Sequence, residues 1–141
     1  MKTLFILSTL LFCQLSWAKT QTVEFEISEI NSANGKLYIQ LFKGKDNFSK
    51  GVALSLQIIP AIKGNTKLRF PNLTPGEYAV RFFHDEDNDG KMSTNAFGRP
   101  IEGYGFSNNA KPVMGPPSYQ DAKFTISQHD ITVVNASQVI Y

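Results

Sequence analysis

The sequence predicts an all-β protein, an antiparallel β-sandwich of about seven strands. In several short stretches hydrophobic and polar residues alternate, so that one face of each stretch is hydrophobic. Segments rich in glycine, proline and asparagine separate these stretches, and none of them has the period of an amphipathic helix. Alternation of this kind indicates strands with one face on a core, and many short strands joined by turns are typical of a sandwich.

The alternating stretches define most of the strands. In chain order they are TVEFEIS (22–28), KLYIQLF (36–42), ALSLQII (53–59), KLRF (67–70), AKFTI (122–126) and DITVV (130–134). Turn signals stand between them at NSANG (31–35), KGNT (63–66) and TPGE (74–77). In the third stretch we expect Leu54, Leu56 and Ile58 to face the core, because alternate side chains of a strand share one face.

The stretch EYAVRFFH (77–84) differs because it is hydrophobic on both faces. Tyr78, Val80 and Phe82 share one face with His84, and Ala79 and Phe83 lie on the other. A strand of this kind is expected in the middle of its sheet.

A long ordered loop excursion is predicted for residues 85–120. The strand pattern stops there, and the segment holds five of the ten glycines and four of the seven prolines. Its aromatic residues argue against a disordered linker. A long connection of this kind inside one domain is usually functional when it is ordered.

The N-terminal residues predict a signal peptide, residues 1–18. A positively charged start and a short hydrophobic stretch precede the small-x-small cleavage signal Ser16-Trp17-Ala18. Cleavage would remove the single cysteine, Cys13, and leave residues 19–141 as one domain without disulfides. We therefore expect an exported protein, periplasmic or secreted.

Charge and hydropathy limit the partners of this domain. The formal net charge is +2 and the basic residues are scattered, so no nucleic-acid surface is expected. No segment after the signal peptide is hydrophobic over the length that a membrane span needs.

The stretch HDEDNDG (84–90) predicts a cation site. Asp85, Asp87 and Asp89 alternate and a glycine follows, as in the first half of a calcium-binding loop. The Lys91 carbonyl and Ser93 offer further oxygens, and Glu102 would supply a carboxylate if the excursion folds back. Calcium fits such a set better than magnesium, because calcium tolerates irregular coordination by oxygen.

Electrostatic repulsion supports the same hypothesis. Four carboxylates in five positions oppose ordering by roughly 2–3 kcal/mol, which a bound cation would offset. The alternative is an acidic, solvated turn at the end of a strand. An EF-hand is not expected, because Ala96 stands where that loop has its last carboxylate.

Several segments together resemble a family of exported bacterial proteins, domain of unknown function 2141 (DUF2141). They are LFKGKDNF, PNLTPGEY, YAV with FFHDEDNDGK, FGRPIEGYGFSNNA and GPPSYQDAKF. The resemblance implies a sandwich akin to transthyretin-like or immunoglobulin-like modules, and no activity. It also implies Asp85, Asp87, Asp89 and Glu102 as candidate ligands. Met92-Ser93 stands where members often carry Leu-Asp, which implies a weaker cation site here.

Two other functions remain open from the residues. His84 with loop carboxylates, or with Asp85 and Ser107, suggests a hydrolase, although His84 and Asp85 point to opposite faces of a strand. In EGYGFSNNA, the residues Tyr104, Phe106, Asn108 and Asn109 suggest a glycan-binding surface, because sugars stack on aromatic rings and bond to amides.

The leading hypothesis is an exported, non-enzymatic binding or structural module with a calcium-ordered acidic loop. Its partner would be an extracytoplasmic molecule, with a glycan and an envelope protein as the candidates.

Overall fold

The structure is a computed structural model that describes residues 20–141. The predicted signal peptide, residues 1–18, lies outside the described residues with its cleavage site and Cys13. The described part of the chain contains eight strands: β1 (Gln21–Ile30), β2 (Lys36–Lys43), β3 (Ser55–Pro60), β4 (Gly64–Leu73), β5 (Gly76–Asp85), β6 (Gly103–Phe106), β7 (Phe124–Ile126) and β8 (Thr132–Gln138). It also contains the helices α1 (Lys45–Lys50) and α2 (Tyr119–Ala122) and the 3-10 helix η1 (Ser107–Asn109).

The strands form two sheets. The first sheet has the order β4-β1-β8, in which β1 is antiparallel to β4 and parallel to β8. The second sheet has the order β3-β2-β5-β6, and β7 also pairs with the start of β5. All pairs in the second sheet are antiparallel. The predicted all-β sandwich is confirmed, and β5 (Gly76–Asp85) is the central strand that its two hydrophobic faces predicted.

The core lies between the two sheets. The strands β1, β2, β4, β5 and β7 contribute alternate residues, and these side chains are fully or almost fully buried. Phe25 of β1 and Phe82 of β5 meet across the sandwich with their ring centroids 6.1 Å apart. The outward face of β1 is polar, and there Glu24 pairs with Arg69 at 2.6 Å.

The prediction that Leu54, Leu56 and Ile58 face the core is wrong. Leu56 pairs with Gln40 and Ile58 with Tyr38, so these side chains lie on the outer face of the second sheet. They are about half exposed, at 54%, 51% and 48%. The hydrophobic alternation is real, but the register with β2 turns that face away from the first sheet.

Part of the predicted loop excursion is a strand. Residues 103–106 form β6 and pair with β5, with Phe83 opposite Tyr104 and Arg81 opposite Phe106. The two glycines of this strand face inward, and a side chain at Gly105 would overlap the Phe82 ring. Glycine has a low strand propensity, so the alternation of glycine with aromatic residues does not predict a strand.

Short helices cover one half of the outer face of the second sheet. Phe48 of α1 packs between Phe42 and Tyr119, with ring centroids at 5.4 and 5.6 Å. The helix α2 begins with a capping box between Ser118 and Asp121. Helices of six and four residues are too short to show a helical period in the sequence. Within residues 20–141, no helix has the length and hydrophobicity to span a membrane.

Candidate metal centre

The three alternating aspartates converge at the end of β5. One carboxylate oxygen from each of Asp85, Asp87 and Asp89 lies within 4.8 Å of the others. Asp85 is fully buried, whereas Asp87 and Asp89 are exposed. The structure therefore brings together three of the residues that the sequence proposed as ligands.

The backbone of the acidic loop, residues 85–93, produces this convergence. Asn88 and Gly90 adopt left-handed conformations, with φ of 62° and 78°. Such angles suit asparagine and glycine, and they turn the chain back toward Asp85. The N–H groups of Asp89 and Gly90 then donate to the two oxygens of Asp85, at 3.2 and 3.1 Å. Asp89 N–H also donates to Asp87 Oδ1, at 3.1 Å.

The three aspartates of the triad have no basic partner among the described residues. Ion pairs in residues 20–141 join Lys67 to Glu26, Arg69 to Glu24 and Lys123 to Glu77, and His84 Nδ1 lies 3.7 Å from Glu86 Oε1. None of them includes the aspartate triad or Glu102. Because a buried charge is costly unless it is paired or bound to a metal, the Asp85 carboxylate provides a place where a cation would be stabilising.

Glu102 folds back onto the acidic loop, but it holds the backbone rather than joining the triad. Its carboxylate is buried and accepts the Glu86 N–H at 3.0 Å and the Ser93 N–H at 2.8 Å. The triad cluster does not include it. Glu102 therefore ties the two ends of the acidic loop together.

The two other proposed ligands, Lys91 and Ser93, lie where the chain leaves the loop. Lys91 N–H donates to Asp89 Oδ1 at 2.7 Å, which keeps this residue against the triad. The Ser93 carbonyl accepts the Ile101 N–H at 3.0 Å. Together with the bridge between Thr94 and Pro100, this bond makes residues 93–101 a small hairpin, which we call the 93–101 hairpin.

A family model described as "Uncharacterized protein conserved in bacteria (DUF2141)" matches residues 25–134. The chain belongs to the DUF2141 family. The match covers most of the sandwich, together with the acidic loop and the 93–101 hairpin of this DUF2141 protein. No curated protein and no solved structure matches the chain, so the likeness to transthyretin-like and immunoglobulin-like modules stays a prediction.

His84 of the DUF2141 protein is a buried residue with both ring nitrogens occupied. Nε2 lies 2.7 Å from the Asn34 carbonyl oxygen, and Nδ1 lies 3.0 Å from the Tyr141 hydroxyl. A carbonyl oxygen only accepts, so Nε2 carries the proton and donates it. The Tyr141 hydroxyl also accepts the Asn31 N–H at 3.0 Å. This network joins β5, the turn after β1 and the C-terminal residue Tyr141, so His84 has a structural role.

The hydrolytic trio suggested by His84, Asp85 and Ser107 is not assembled. Ser107 Oγ is buried, accepts the Val80 N–H at 2.8 Å and donates to the Ala122 carbonyl at 2.5 Å. No hydrogen bond in the described residues joins any two members of the trio. Ser107 instead replaces strand pairing at the end of β6.

The suggested glycan surface is divided by the fold. Tyr104 and Phe106 lie on the outer face of the second sheet, with ring centroids 6.2 Å apart. The Asn108 amide turns away and donates to the Lys123 carbonyl at 2.7 Å. The side-chain oxygen of Asn109, Oδ1, accepts the Gln138 backbone N–H at 3.1 Å. The two amides therefore bond within the protein, and they are not available to a sugar beside the two aromatic rings.

The sequence reasoning missed two residues of this region, Arg81 and Tyr141. Arg81 is the single charged side chain of the stretch YAVRFF, and that position in a central strand is a signal that could have identified it. Tyr141 reaches His84 from 57 positions away along the chain, and nothing local in the sequence indicates this contact.

The Tyr141 hydroxyl contacts Asn31 and His84, although the residue is 50% exposed, and it predicts a small pH dependence of stability. Burial raises the pKa of the Tyr141 hydroxyl above its usual 10.0, against the effect of the Asn31 N–H, and Glu86 adds to the rise. The folded state therefore holds this proton more tightly than the unfolded state does. The contribution to stability is present below the unfolded pKa and is lost as pH rises through the folded pKa.

We expect Tyr141→Phe to be less stable than the wild type at neutral pH, because two hydrogen bonds are lost. As pH rises, the free energy of unfolding should fall less in this variant than in the wild type, because phenylalanine has no hydroxyl to ionise. Urea unfolding at about pH 8 and about pH 10.5 gives the two differences. Tyr119, whose pKa is also raised by burial, is present in both proteins and cancels in the comparison. An equal fall in the free energy of unfolding between the two pH values in wild type and variant would contradict the role of the Tyr141 hydroxyl.

Proposed function

We propose that this DUF2141 protein is an exported, non-enzymatic binding or structural module whose acidic loop is ordered by a calcium ion. The observation that carries the proposal is the environment of Asp85. Its carboxylate is fully buried and has no basic partner among the described residues, and two further aspartate oxygens lie within 4.8 Å of it.

Calcium is the cation that suits this loop. The triad supplies carboxylate oxygens, which are hard ligands, and the chain around Lys91 and Ser93 offers a carbonyl and a hydroxyl nearby. Calcium takes six to eight such oxygens in irregular arrangements and accepts water in the remaining positions. Asp87 and Asp89 are exposed, so an ion can reach the triad from solvent.

The contacts of His84 and Ser107 support a binding or structural module over a hydrolase. A general base needs a free ring nitrogen within reach of its substrate, and both nitrogens of His84 are bonded inside the protein. The Ser107 hydroxyl is buried and bonded as well. The two side chains that a hydrolase would need therefore make hydrogen bonds within the fold instead.

Ordering of the acidic loop would also fix the chain that follows it. Glu102 connects the loop to the base of the 93–101 hairpin through the Glu86 and Ser93 amides. An ion in the triad would hold this hairpin in place and present the outer face of the second sheet to a partner. An extracytoplasmic glycan or envelope protein is the partner class that we expect for an exported module.

The proposal predicts that calcium raises the melting temperature. A site with a dissociation constant near 0.1 mM would contribute about 1.4 kcal/mol in about 1 mM calcium. For a domain of this size that corresponds to roughly 3–6 °C. The measurement is a set of melting curves in calcium, magnesium and chelator, with isothermal titration for the affinity.

Two variants make the test specific. Asp87→Ala removes an exposed carboxylate of the triad, and we expect it to lose more than half of the calcium response. Asp46→Ala removes an exposed carboxylate at the start of α1, far from the triad in sequence, and should keep the full response. A wild-type melting temperature that is the same in calcium and chelator would refute the cation site.

A further inference from the structure

The outer face of the second sheet carries a groove of about 840 Å³. Its floor is formed by β5 and β6, where Phe83 lies beside Tyr104 and Arg81 lies beside Phe106. One wall is the 93–101 hairpin, and the other is the segment of residues 112–116. The volume is within the range of small-molecule sites, roughly 300–1,000 Å³.

The floor of the groove is aromatic and extends beyond the walls. Phe83 stacks on Tyr38 of β2 with ring centroids 4.9 Å apart and an interplanar angle of 12°. Ile58 of β3 pairs with Tyr38 and continues the same row, and it is 48% exposed. Four neighbouring strands thus present hydrophobic side chains on one face, over roughly 15 Å across the strands.

The charge of the groove is positive. Arg81 and Arg99 line it, and no acidic residue is among its lining residues. Neither arginine forms an ion pair within the described part of the chain. A half-buried guanidinium without a carboxylate partner favours an anion supplied by a ligand.

Arg81 is held in place before any ligand arrives. Its Nε donates to Gln40 Oε1 at 2.7 Å, and its guanidinium carbon lies 4.7 Å from the centre of the Phe42 ring. Its Nη groups make no hydrogen bond to the described residues. A fixed guanidinium loses little conformational entropy on binding a carboxylate or phosphate, which makes it an effective anchor.

We propose that this groove binds a small amphiphilic anion. A carboxylate or phosphate group would pair with Arg81 and Arg99, and a hydrophobic chain or ring would lie on Tyr104, Phe83 and the row that continues to β3. The Tyr104 hydroxyl, which has no hydrogen-bond partner among residues 20–141, is available to the polar end of the ligand. This inference rests on the proposed binding function and names the ligand class.

The direct test is fluorescence titration with the aromatic anion 1-anilinonaphthalene-8-sulfonate, followed by displacement with decanoate below its micelle concentration. Decyl phosphate tests the second headgroup, and decanol supplies the same hydrophobic chain without charge. We expect saturable binding of the probe, displacement by both anions, and displacement by decanol at least about tenfold weaker.

Three variants locate the binding site. Arg81→Met keeps a hydrophobic side chain on Phe42 and removes the charge, and should weaken decanoate binding about tenfold or more. Arg99→Gln changes an exposed residue of the hairpin, so we expect it to leave the fold intact and to weaken the affinity through the lost charge alone. Lys63→Gln removes one exposed positive charge outside the groove and should leave the affinity unchanged.

Several outcomes would overturn the ligand assignment. They are no saturable probe binding, equal displacement by decanol and decanoate, or unchanged affinity in both arginine variants. Binding to vesicles of phosphatidylglycerol without any binding of free decanoate would also overturn it, as would a dimer in sedimentation that excludes the probe.

The calcium response of the melting temperature is measured on the same samples. A protein that responds to calcium but does not bind decanoate contradicts the ligand assignment alone. A protein that binds decanoate without a calcium response contradicts the cation site alone.

Discussion

Gly35→Ala is expected to destabilise the protein by about 3 kcal/mol or more, the largest effect among the substitutions considered. Gly35 has a φ of 69°, and an added Cβ would overlap the backbone carbonyl of Asp85. The left-handed conformation costs a non-glycine residue about 1–2 kcal/mol, and a backbone clash adds about 1–3 kcal/mol. The expected fall in melting temperature is about 10 °C.

A matched glycine separates the two costs. Gly98 also has a left-handed φ, of 75°, but nothing lies within 4 Å of the position that a Cβ would take. We expect Gly98→Ala to cost about 1–2 kcal/mol, from the backbone conformation alone. Urea unfolding of both variants gives the difference in stability. Equal losses of stability would show that the Asp85 carbonyl leaves room for a Cβ at position 35.

Gly35→Ala should also weaken the calcium response. The clash displaces the Asp85 carbonyl, and the carboxylate that anchors the triad belongs to the same residue. Calcium titration of the folded variant, by melting temperature or calorimetry, measures this effect.

Glu102→Ala is expected to cost about 2–3 kcal/mol. Each hydrogen bond to a charged group contributes about 1.5–3 kcal/mol, and the variant leaves the Glu86 and Ser93 amides without their acceptor. Relief of repulsion from the nearby aspartates offsets part of the loss. Denaturant unfolding gives the stability, and hydrogen exchange at these two amides reports the loosening of the loop.

Glu77→Ala is the control for this substitution. Glu77 is an exposed carboxylate whose partner is Lys123, and an ion pair of this kind contributes at most about 1 kcal/mol. Glu102→Ala should therefore be the more destabilising variant and should be the one that speeds exchange at Ser93. Similar losses in both would mean that Glu102 does not hold the loop.

The sequence predicted the strands because their information is local. Alternating hydrophobic residues produce one buried face whatever the partner strand is, so β1, β2, β4 and β5 appear close to their expected places. The face of β3 could not be predicted in this way. Its hydrophobic residues alternate just as regularly, but only the pairing of Ile58 with Tyr38 determines that they point outward.

The same distinction between local and long-range information applies to the candidate site. The spacing of Asp85, Asp87 and Asp89 before a glycine was enough to predict convergence, because the turn that brings the carboxylates together is encoded within a few residues. The groove could not be predicted. It depends on Arg81 and Phe106 being placed side by side on neighbouring strands, 25 positions apart in a sequence that shows no link between them.

The direction of β1 determines how the molecule is oriented when it is held by its N-terminal side. This strand runs for ten residues, about 30 Å, from Gln21 to Ile30, and the Tyr141 hydroxyl accepts a bond from the residue that follows it, Asn31. His84, the partner of Tyr141, directly precedes the aspartate triad. A tether attached before Gln21 would therefore hold the triad at the far end of the molecule, pointing away from the anchoring surface. A tether after Tyr141 would instead bring the anchoring surface close to the triad.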